Sequence, residues 1–248
     1  AVWQALLNTL KYAVIEVPFS IAIAIVLAVM LNQKMRGRSI YRMIYFMPMV
    51  CAPAAVAMVW RWLYNSEFGL LNHMLNAIGL PKVNWVSDPK IAIISVAVVG
   101  IWSVIGYNMV LFLAGLQEIP KDYYEAAEID GAGKIKVFFQ IALPLSKPIL
   151  VAMGLFTGLG FWNDWTNGLY YVNKQKLYTV QLLLNKMLQD LQALQSNASA
   201  SSSGLAMKLP QVSIRMAIAV VGVLPILILY PFLEKYFAEG ITIGAVKG

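Results

Sequence analysis

Residues 91–117 read IAIISVAVVGIWSVIGYNMVLFLAGLQ, a run of 27 residues without a charged side chain. The hydrocarbon core of a bilayer is about 30 Å thick, and a helix needs roughly 20 apolar residues to cross it. Because backbone polar groups in lipid must be satisfied within the segment, a continuous run of this kind predicts a helix rather than a strand. The stretch therefore predicts a transmembrane helix and sets the class of the whole fold.

Four further apolar segments have the character of membrane spans. They are Thr9–Leu31, Met43–Trp60, Pro148–Asn163 (extending to about Leu169) and Met216–Leu233. Composition agrees, since 12% of the residues are charged, against about a quarter in a soluble domain. We predict an all-α, polytopic transmembrane helical bundle with five spans, forming one domain over residues 1–248. Because the chain begins at Ala1 without an initiator Met, we expect one further helix to precede it.

Charges between the segments indicate the orientation of the chain. The loop after the first span contains four basic side chains and no acid: Lys34, Arg36, Arg38 and Arg42. The positive-inside rule places that loop in the cytoplasm. Alternation then places residues 118–147 and the C-terminus inside, and residues 64–90 and 165–215 outside. The net charge of +7 is thus interpreted as a topology signal, and no nucleic-acid partner is indicated.

The polar loop of residues 118–147 has the pattern of two short helices joined by a bend. A first helix is predicted over Leu116–Asp130, and Gly131 ends it at little steric cost. A second helix is predicted over Lys134–Leu143, with Pro144 ending it. Its apolar side chains are expected on one side: Ile135, Phe138, Phe139 and Leu143. From these residues alone, the loop is either a docking knob for another protein or a connector packed on the bilayer surface.

Polar side chains inside the spans are candidates for a path through the membrane, because polar groups are costly in lipid and tend to face a cavity or a partner. Aromatic faces beside amides and a carboxylate suit a sugar, whose C–H faces stack while its hydroxyls need hydrogen bonds. The hypothetical path consists of Trp102, Tyr107, Asn108, Trp162, Asn163 and Asp164. The alternative is that Asn163 and Asp164 only end a helix at the outer interface, with the tryptophans as anchors.

Two other features of the spans have structural interpretations. Glu16 is expected to pair with a polar group of a neighbouring helix rather than with a substrate. Several aromatic residues near the predicted outer interface are expected to form an aromatic belt: Trp3, Tyr12, Trp60, Trp62, Tyr64 and Trp85.

The sequence offers no residues for covalent chemistry. No glycine-rich run ends in Gly-Lys-Ser/Thr, so a nucleotide would have to be bound by another chain. His73 is the single histidine and Cys51 the single cysteine, which leaves no Ser/His/Asp grouping, disulfide or metal site to propose. The chain is therefore not predicted to be an enzyme.

The loop carries the pattern E-A-A-x3-G-x9-I-x-L-P, which resembles the cytoplasmic coupling motif of binding-protein-dependent ABC importer permeases. Every fixed position of that motif is matched here: Glu125, Ala126, Ala127, Gly131, Ile141, Leu143 and Pro144. The resemblance implies that these residues couple to a cytoplasmic ATPase subunit, which would bind ATP and Mg²⁺. It also implies a second permease subunit, in a homo- or heterodimer, and an extracytoplasmic solute-binding protein. Six spans are usual in such subunits, of the type I permease fold.

Other stretches are similar to carbohydrate-uptake permeases of the maltose and glycerol-phosphate type. They are Asn8-Thr9-Leu10, Arg36-Gly37-Arg38 and the closing Gly240-x-Thr242-x-Gly244-Ala245-Val246-Lys247-Gly248. Up to about Leu150 the chain resembles the first permease subunit of such heterodimers, and from Phe161 onward the second. The resemblance implies import of a carbohydrate or related solute. An importer of a non-sugar solute is the alternative, and a secondary transporter is disfavoured by the few spans and the scarce intramembrane ionisable groups.

Overall fold

The computed structural model describes residues 2–33, 35–200 and 211–245, and within these ranges the regular structure is helical. Side chains are described except those of residues 197–200, 211, 229 and 232–245. In chain order the helices are α1 (Val2–Asn32), α2 (Arg38–Val50), α3 (Pro53–Leu63), α4 (Leu70–Ala77), α5 (Ala92–Glu118), α6 (Lys121–Ile129), α7 (Lys134–Val137), a π turn (Phe138–Ala142), α8 (Leu143–Leu145), α9 (Lys147–Trp162), α10 (Thr166–Tyr171), a 3₁₀ turn (Gln175–Leu177), α11 (Val180–Ala200) and α12 (Gln211–Ala245).

The predicted spans correspond to helices or to bent pairs of helices. By length and composition, α1 and α5 can each cross a membrane alone. Two bent pairs pass the same test together, as a broken span or a re-entrant loop: α2 with α3, and the segment Lys134–Leu145 with α9, which meet at 69°. Val212–Ile228 within α12 is a shorter apolar stretch at the place of the fifth predicted span. The prediction of an all-α, polytopic membrane fold is therefore confirmed.

The second predicted span, Met43–Trp60, is not one continuous helix. The chain breaks between α2 and α3, and the two helices meet at an angle of 96°. Cys51 adopts an extended conformation, with φ −70° and ψ 145°. Pro53 favours the break, because its ring disfavours helical backbone at Ala52 and it has no N–H to donate to a preceding turn.

The fourth predicted span, which was expected to extend to about Leu169, also ends earlier in the structure. Helix α9 stops at Trp162, and α10 begins at Thr166 after a short turn. The backbone N–H of Asn167 donates to Oδ1 of Asp164 at 3.0 Å. Asp164 thus satisfies a free N–H at the start of α10. This side-chain hydrogen bond competes with the backbone bonds that would continue α9, and it favours the start of a new helix.

The described residues divide into two compact units. The first comprises Ala1–Ala13, Ala57–Val96 and Phe161–Pro231. Its core is a cluster of buried apolar side chains: Ala5, Val180, Leu183, Leu184 and Ile218. Polar contacts attach the start of α1 to the segment before α11, since Nδ2 of Asn8 donates to the carbonyls of Lys176 (2.8 Å) and Tyr178 (3.1 Å).

The second unit comprises Val14–Val56, Ala97–Gly160 and Phe232–Gly248. Its core joins the C-terminal halves of α1 and α5 to residues of the loop and of α9: Ala24, Ala28, Leu31, Met109, Phe112, Leu113, Leu116, Ala142 and Met153. Small residues permit close helix contact, as at Gly115, where an added Cβ would lie 2.7 Å from Cδ1 of Ile149. The interpretation of residues 1–248 as one domain stays a prediction.

Candidate functional site

The loop of residues 118–147 is a pair of short helices, as predicted, with a shifted beginning. Helix α5 continues to Glu118, and Pro120 precedes a separate helix, α6, that starts at Lys121. The sequence had predicted one helix from Leu116 to Asp130. Proline before the first helical residue disfavours a helical conformation for Ile119, and the break separates α6 from the membrane span.

Gly131 ends α6 in a Schellman motif. The N–H of Gly131 donates to the carbonyl of Glu128 at 3.0 Å, and the N–H of Ala132 donates to that of Ala127 at 2.9 Å. The motif requires a left-handed residue after the cap, and Gly131 has φ +70°. A Cβ on Gly131 would meet no atom within 4 Å. Glycine is therefore required here by the backbone conformation and not by crowding inside this chain.

The motif residues of α6 differ in exposure. Glu125 and Ala126 are exposed, whereas Ala127 is buried. Ala126 and Ala127 line a shallow groove beside α6 together with Tyr123, Lys136, Gln140 and Ile141. Side chains longer than alanine would fill this groove. The small residues of the motif thus keep one side of α6 accessible along its length.

The second half of the loop departs from the prediction. The helix does not end at Pro144, because α7, the π turn and α8 continue without a break to Leu145. A π turn inserts an extra residue into a helical turn and rotates the residues after it about the helix axis. The apolar side chains do not share one side as predicted: Phe138 packs against the core of the second unit, while Ile135 and Phe139 are exposed.

Four exposed apolar side chains of the loop form what we call the coupling surface. They are Tyr123, Ile129, Ile135 and Phe139, with exposed fractions of 52%, 87%, 77% and 59%. Exposed apolar groups of this size on a loop between spans are typical of a protein-binding site. Of the remaining motif residues, Pro144 is exposed, and Ile141 and Leu143 are half-buried.

Tyr124 anchors α6 to the rest of the second unit. Its side chain packs against the core cluster, and burial raises the pKa of its phenol. A cavity of about 310 Å³ adjoins this contact and is lined by the ends of α1 and α5 and by Tyr124, Glu128 and Phe138. Helix α6 is therefore held at a few points, with open space beside it.

Three of the six hypothetical path residues lie in the second unit. Trp102 and Tyr107 are exposed on α5, whereas Asn108 is only 1% exposed. Oδ1 of Asn108 accepts a hydrogen bond from Oγ1 of Thr157 at 3.2 Å, and its Nδ2 has no partner among the described residues. Asn108 thus links α5 to α9 and leaves one buried donor unsatisfied.

The other three path residues lie in the first unit, where two of them have structural contacts. Nε1 of Trp162 donates to the carbonyl of Gly222 at 3.0 Å. The carboxylate of Asp164 accepts from the Tyr12 hydroxyl (3.0 Å) and from Nδ2 of Asn167 (2.7 Å). Asn163 is exposed. These bonds agree with the alternative in which Asp164 ends a helix, and the path stays a hypothesis.

Tyr12 is a residue whose role the sequence did not indicate. It was interpreted as part of an aromatic belt, but it is 4% exposed and its ring packs edge-on against Phe161 at 5.9 Å between centroids. The position of Tyr12 in the first part of α1 fits two interpretations equally. A tyrosine there can be an exposed residue of the aromatic belt or a buried hydrogen-bond donor, and the sequence does not distinguish them.

The family described as binding-protein-dependent transport system inner membrane component matches residues 20–243. The chain belongs to this family. Membership confirms that it is a multi-pass inner membrane component of a transport system, and it confirms the resemblance seen in the loop motif. The motif therefore lies in the family's own context, between two membrane segments.

Relatives include several proteins named as transport permeases. Protein LplC of Bacillus subtilis is 39% identical over 144 residues, covering 57% of this chain and 47% of that protein. The trehalose/maltose transport system permease protein MalF of Thermococcus litoralis is 34% identical over 149 residues, covering 60% and 50%. The chain spans about half the length of the curated relatives it matches.

Two solved structures share the fold. One is a chain of a bacterial alginate ABC transporter, solved in complex with a periplasmic protein that carries an alginate pentasaccharide. It superposes with a TM-score of 0.75 at 21% identity, and the match covers 93% of this chain and 76% of that one. A bacterial ABC transporter involved in alginate import gives 0.75 at 18% identity, covering 95% and 78%. The fold is thus that of an ABC importer permease.

Proposed function

We propose that this chain is a permease subunit of an ATP-driven ABC importer and forms part of the translocation path for a carbohydrate or related solute. The observation that carries the proposal is the match of residues 20–243 to binding-protein-dependent transport components, together with the complete coupling motif. A solute-binding protein on the outer side would deliver the solute. A second permease subunit, identical or different, would complete the path in the membrane.

The coupling surface would bind a cytoplasmic ATPase subunit. Tyr123, Ile129, Ile135 and Phe139 supply the apolar contact, and the groove beside Ala126 and Ala127 supplies its shape. ATP and Mg²⁺ would be held by that subunit, because this chain has no phosphate-binding loop. The proposal requires residues 118–147 and the C-terminus to lie in the cytoplasm.

Movement of the ATPase would reach the membrane through two helices. Helix α6 follows α5 after a short proline-containing link, and α8 leads into α9 through Ser146. The Schellman hydrogen bonds at Gly131 fix the angle between α6 and α7. A displacement of the coupling surface would therefore be passed to α5 and α9, both of which carry side chains of the hypothetical path.

The carbohydrate class is supported by relatives with names such as trehalose/maltose and sulfoquinovosyl glycerol transport system permeases. The alternative is an importer for a non-sugar solute. Purification of the assembly in mild detergent, followed by identification of the solute retained by the co-purified binding protein, separates the two. A retained non-sugar solute would contradict the carbohydrate assignment and leave the importer assignment intact.

Docking is tested by comparing Gly131→Asp with Gly79→Asp. Gly79 ends α4 in the same motif, with φ +77°, hydrogen bonds of 3.1 and 2.9 Å, and no atom within 4 Å of an added Cβ. The two substitutions add the same charge and similar backbone strain, but Gly79 lies in a loop predicted to be outside. Gly131→Asp should abolish uptake and capture of the ATPase that co-purifies with the wild-type chain, without loss of the permease from the membrane.

Gly79→Asp is expected to retain both the ATPase and uptake. If Gly131→Asp retained the ATPase and transported normally, the docking assignment would be wrong. Equal loss in the two variants would also contradict docking, because it would show that strain at the glycine is sufficient.

A further inference from the structure

A basic pair at the start of α2 has no acidic partner among the side chains that the structure describes. Arg38 and Arg42 lie one turn apart, and the first turn of α2 contains no acid. The Nε atom of each is buried without a hydrogen-bond partner in the part of the chain that the structure describes. Residues 17–66 of the sequence contain no Asp or Glu. Like charges at this spacing disfavour a helix, so the pair is suited to bind an anion.

The position of the pair points to the membrane surface. After Arg38, α2 exposes apolar side chains along its length: Ile40, Met43, Ile44 and Met47. Gly37, with φ +77°, starts the helix just after α1 has ended at Asn32. The arginines therefore lie at the polar end of a helix whose exposed side chains suit lipid, which is the level of the phospholipid headgroups.

Arginine is well matched to the phosphate group at that level. Its planar guanidinium can donate two parallel N–H bonds to phosphate oxygens, and it is more weakly hydrated than an ammonium group. A cluster of four basic residues immediately beside a membrane helix is also typical of binding to anionic lipids. The charge rule used for orientation requires basic residues in the loop, but it does not require two of them one turn apart.

We propose that Arg38 and Arg42 together bind the phosphate of an anionic phospholipid in the cytoplasmic leaflet. The bound lipid would fix the beginning of α2 and hence the bent pair α2–α3. This inference uses the proposed orientation, but it needs neither the ATPase nor the solute.

The test is native mass spectrometry of the purified full chain in mild detergent, titrated with dioctanoyl phosphatidylglycerol or dioctanoyl phosphatidylcholine. The wild-type chain should bind phosphatidylglycerol more tightly than phosphatidylcholine. Substitution Arg38→Gln or Arg42→Gln should weaken phosphatidylglycerol binding about fivefold each, and the double variant should lose the preference. Arg36→Gln removes an exposed charge from the same loop and should change binding less than twofold.

The matched control is Arg61→Gln with Arg215→Gln, which removes two exposed arginines, one just before and one within a loop predicted to be outside. It should keep the preference. If the double variant Arg38→Gln with Arg42→Gln fails to fold, the double variant Arg38→Lys with Arg42→Lys replaces it and preserves the charge. This lysine variant should still bind phosphatidylglycerol more weakly than the Arg36→Gln variant does.

Several outcomes would overturn the proposal. Equal binding of the two lipids by the wild-type chain would remove the preference that it predicts. An equal effect of Arg36→Gln, or of the control pair, would show diffuse charge rather than a paired site. Displacement of the lipid by millimolar inorganic phosphate, with phosphate bound in its place, would identify the site as one for a soluble anion.

Discussion

The carboxylate of Glu16 on α1 fills the space in front of Gly100 on α5, so that a Cβ on residue 100 would overlap it. Glu16 is 0% exposed. A carboxylate of this length can lie between two membrane helices only where the facing residue has no side chain. The contact explains why a glycine interrupts the otherwise apolar middle of α5.

Gly100→Ala is therefore expected to destabilise the protein. Overpacking of a closely packed site costs about 1–3 kcal/mol, and the carboxylate would have to leave its place. Thermal unfolding in detergent should show a lowered midpoint, and Glu16→Ala combined with Gly100→Ala should recover much of the loss. Gly158→Ala, at a position with no atom within 4 Å of an added Cβ, is the control and should have little effect. An unchanged midpoint for Gly100→Ala would contradict the contact.

Thr9→Val should loosen the attachment of α1 to α11. Oγ1 of Thr9 accepts the N–H of Val180 at 2.9 Å and donates to the carbonyl of Ala5 at 2.9 Å. Valine leaves the buried N–H of Val180 without a partner, at a cost of about 1–3 kcal/mol in the free energy of unfolding. Ser20→Ala is the control, because the Ser20 hydroxyl bonds only its own helix at 3.1 Å. Equal stability of the two variants would show that the Thr9 bond contributes little.

Ile129→Asp should weaken ATPase capture without unfolding the chain. Ile129 is 87% exposed at the end of α6, so a surface substitution should change the free energy of unfolding by only about 0.5 kcal/mol. A charge in an apolar interface is costly, and the amount of co-purified ATPase should fall at least tenfold. Ile78→Asp, at the end of α4 with 72% exposure, is the matched control. Undiminished capture by Ile129→Asp would remove this residue from the coupling surface.

Asn108→Ala and Asp164→Ala test the path hypothesis through the kinetics of uptake. A hydrogen bond to the solute of about 1 kcal/mol, once lost, would raise the KM of uptake about fivefold. A residue with only a structural role should instead lower the thermal midpoint and leave KM unchanged. Tyr12→Phe is the control for Asp164, because it removes one of the bonds to that carboxylate while all six path residues keep their identity. Unchanged uptake in both alanine variants would retire the path assignment.

Much of the coupling loop could be predicted from its sequence, because its signals are local. Gly131 followed an apolar and acidic helical stretch, and a left-handed cap satisfies the last carbonyls of that helix wherever the helix packs. The π turn at Phe138–Ala142 could not be predicted in this way. It depends on Phe138 and Ala142 joining a core built from α1 and α5, and the sequence around them equally permits a regular helix that ends at Pro144.

At the hypothetical path, Asp164 and Asn108 likewise could be identified from the sequence, whereas their hydrogen-bond partners could not. The sequence identified both as unusual, since polar groups are costly within or beside a span. It could not identify Tyr12 and Thr157 as their partners, because each lies about 50 or more residues away in the chain. Contacts of that kind are made by helices that meet only in the folded bundle.

The sequence by itself determined that this protein is a helical membrane protein, and that the loop between two of its apolar segments carries the pattern E-A-A-x3-G-x9-I-x-L-P. Those conclusions rest on hydrophobic length and on helix-ending residues, which act locally or against lipid. Tertiary structure alone decided the contact of Glu16 with Gly100 and the division of the loop's apolar side chains. Each of these depends on close packing between segments distant in the chain, and sterics of that kind leave no periodic trace in the sequence.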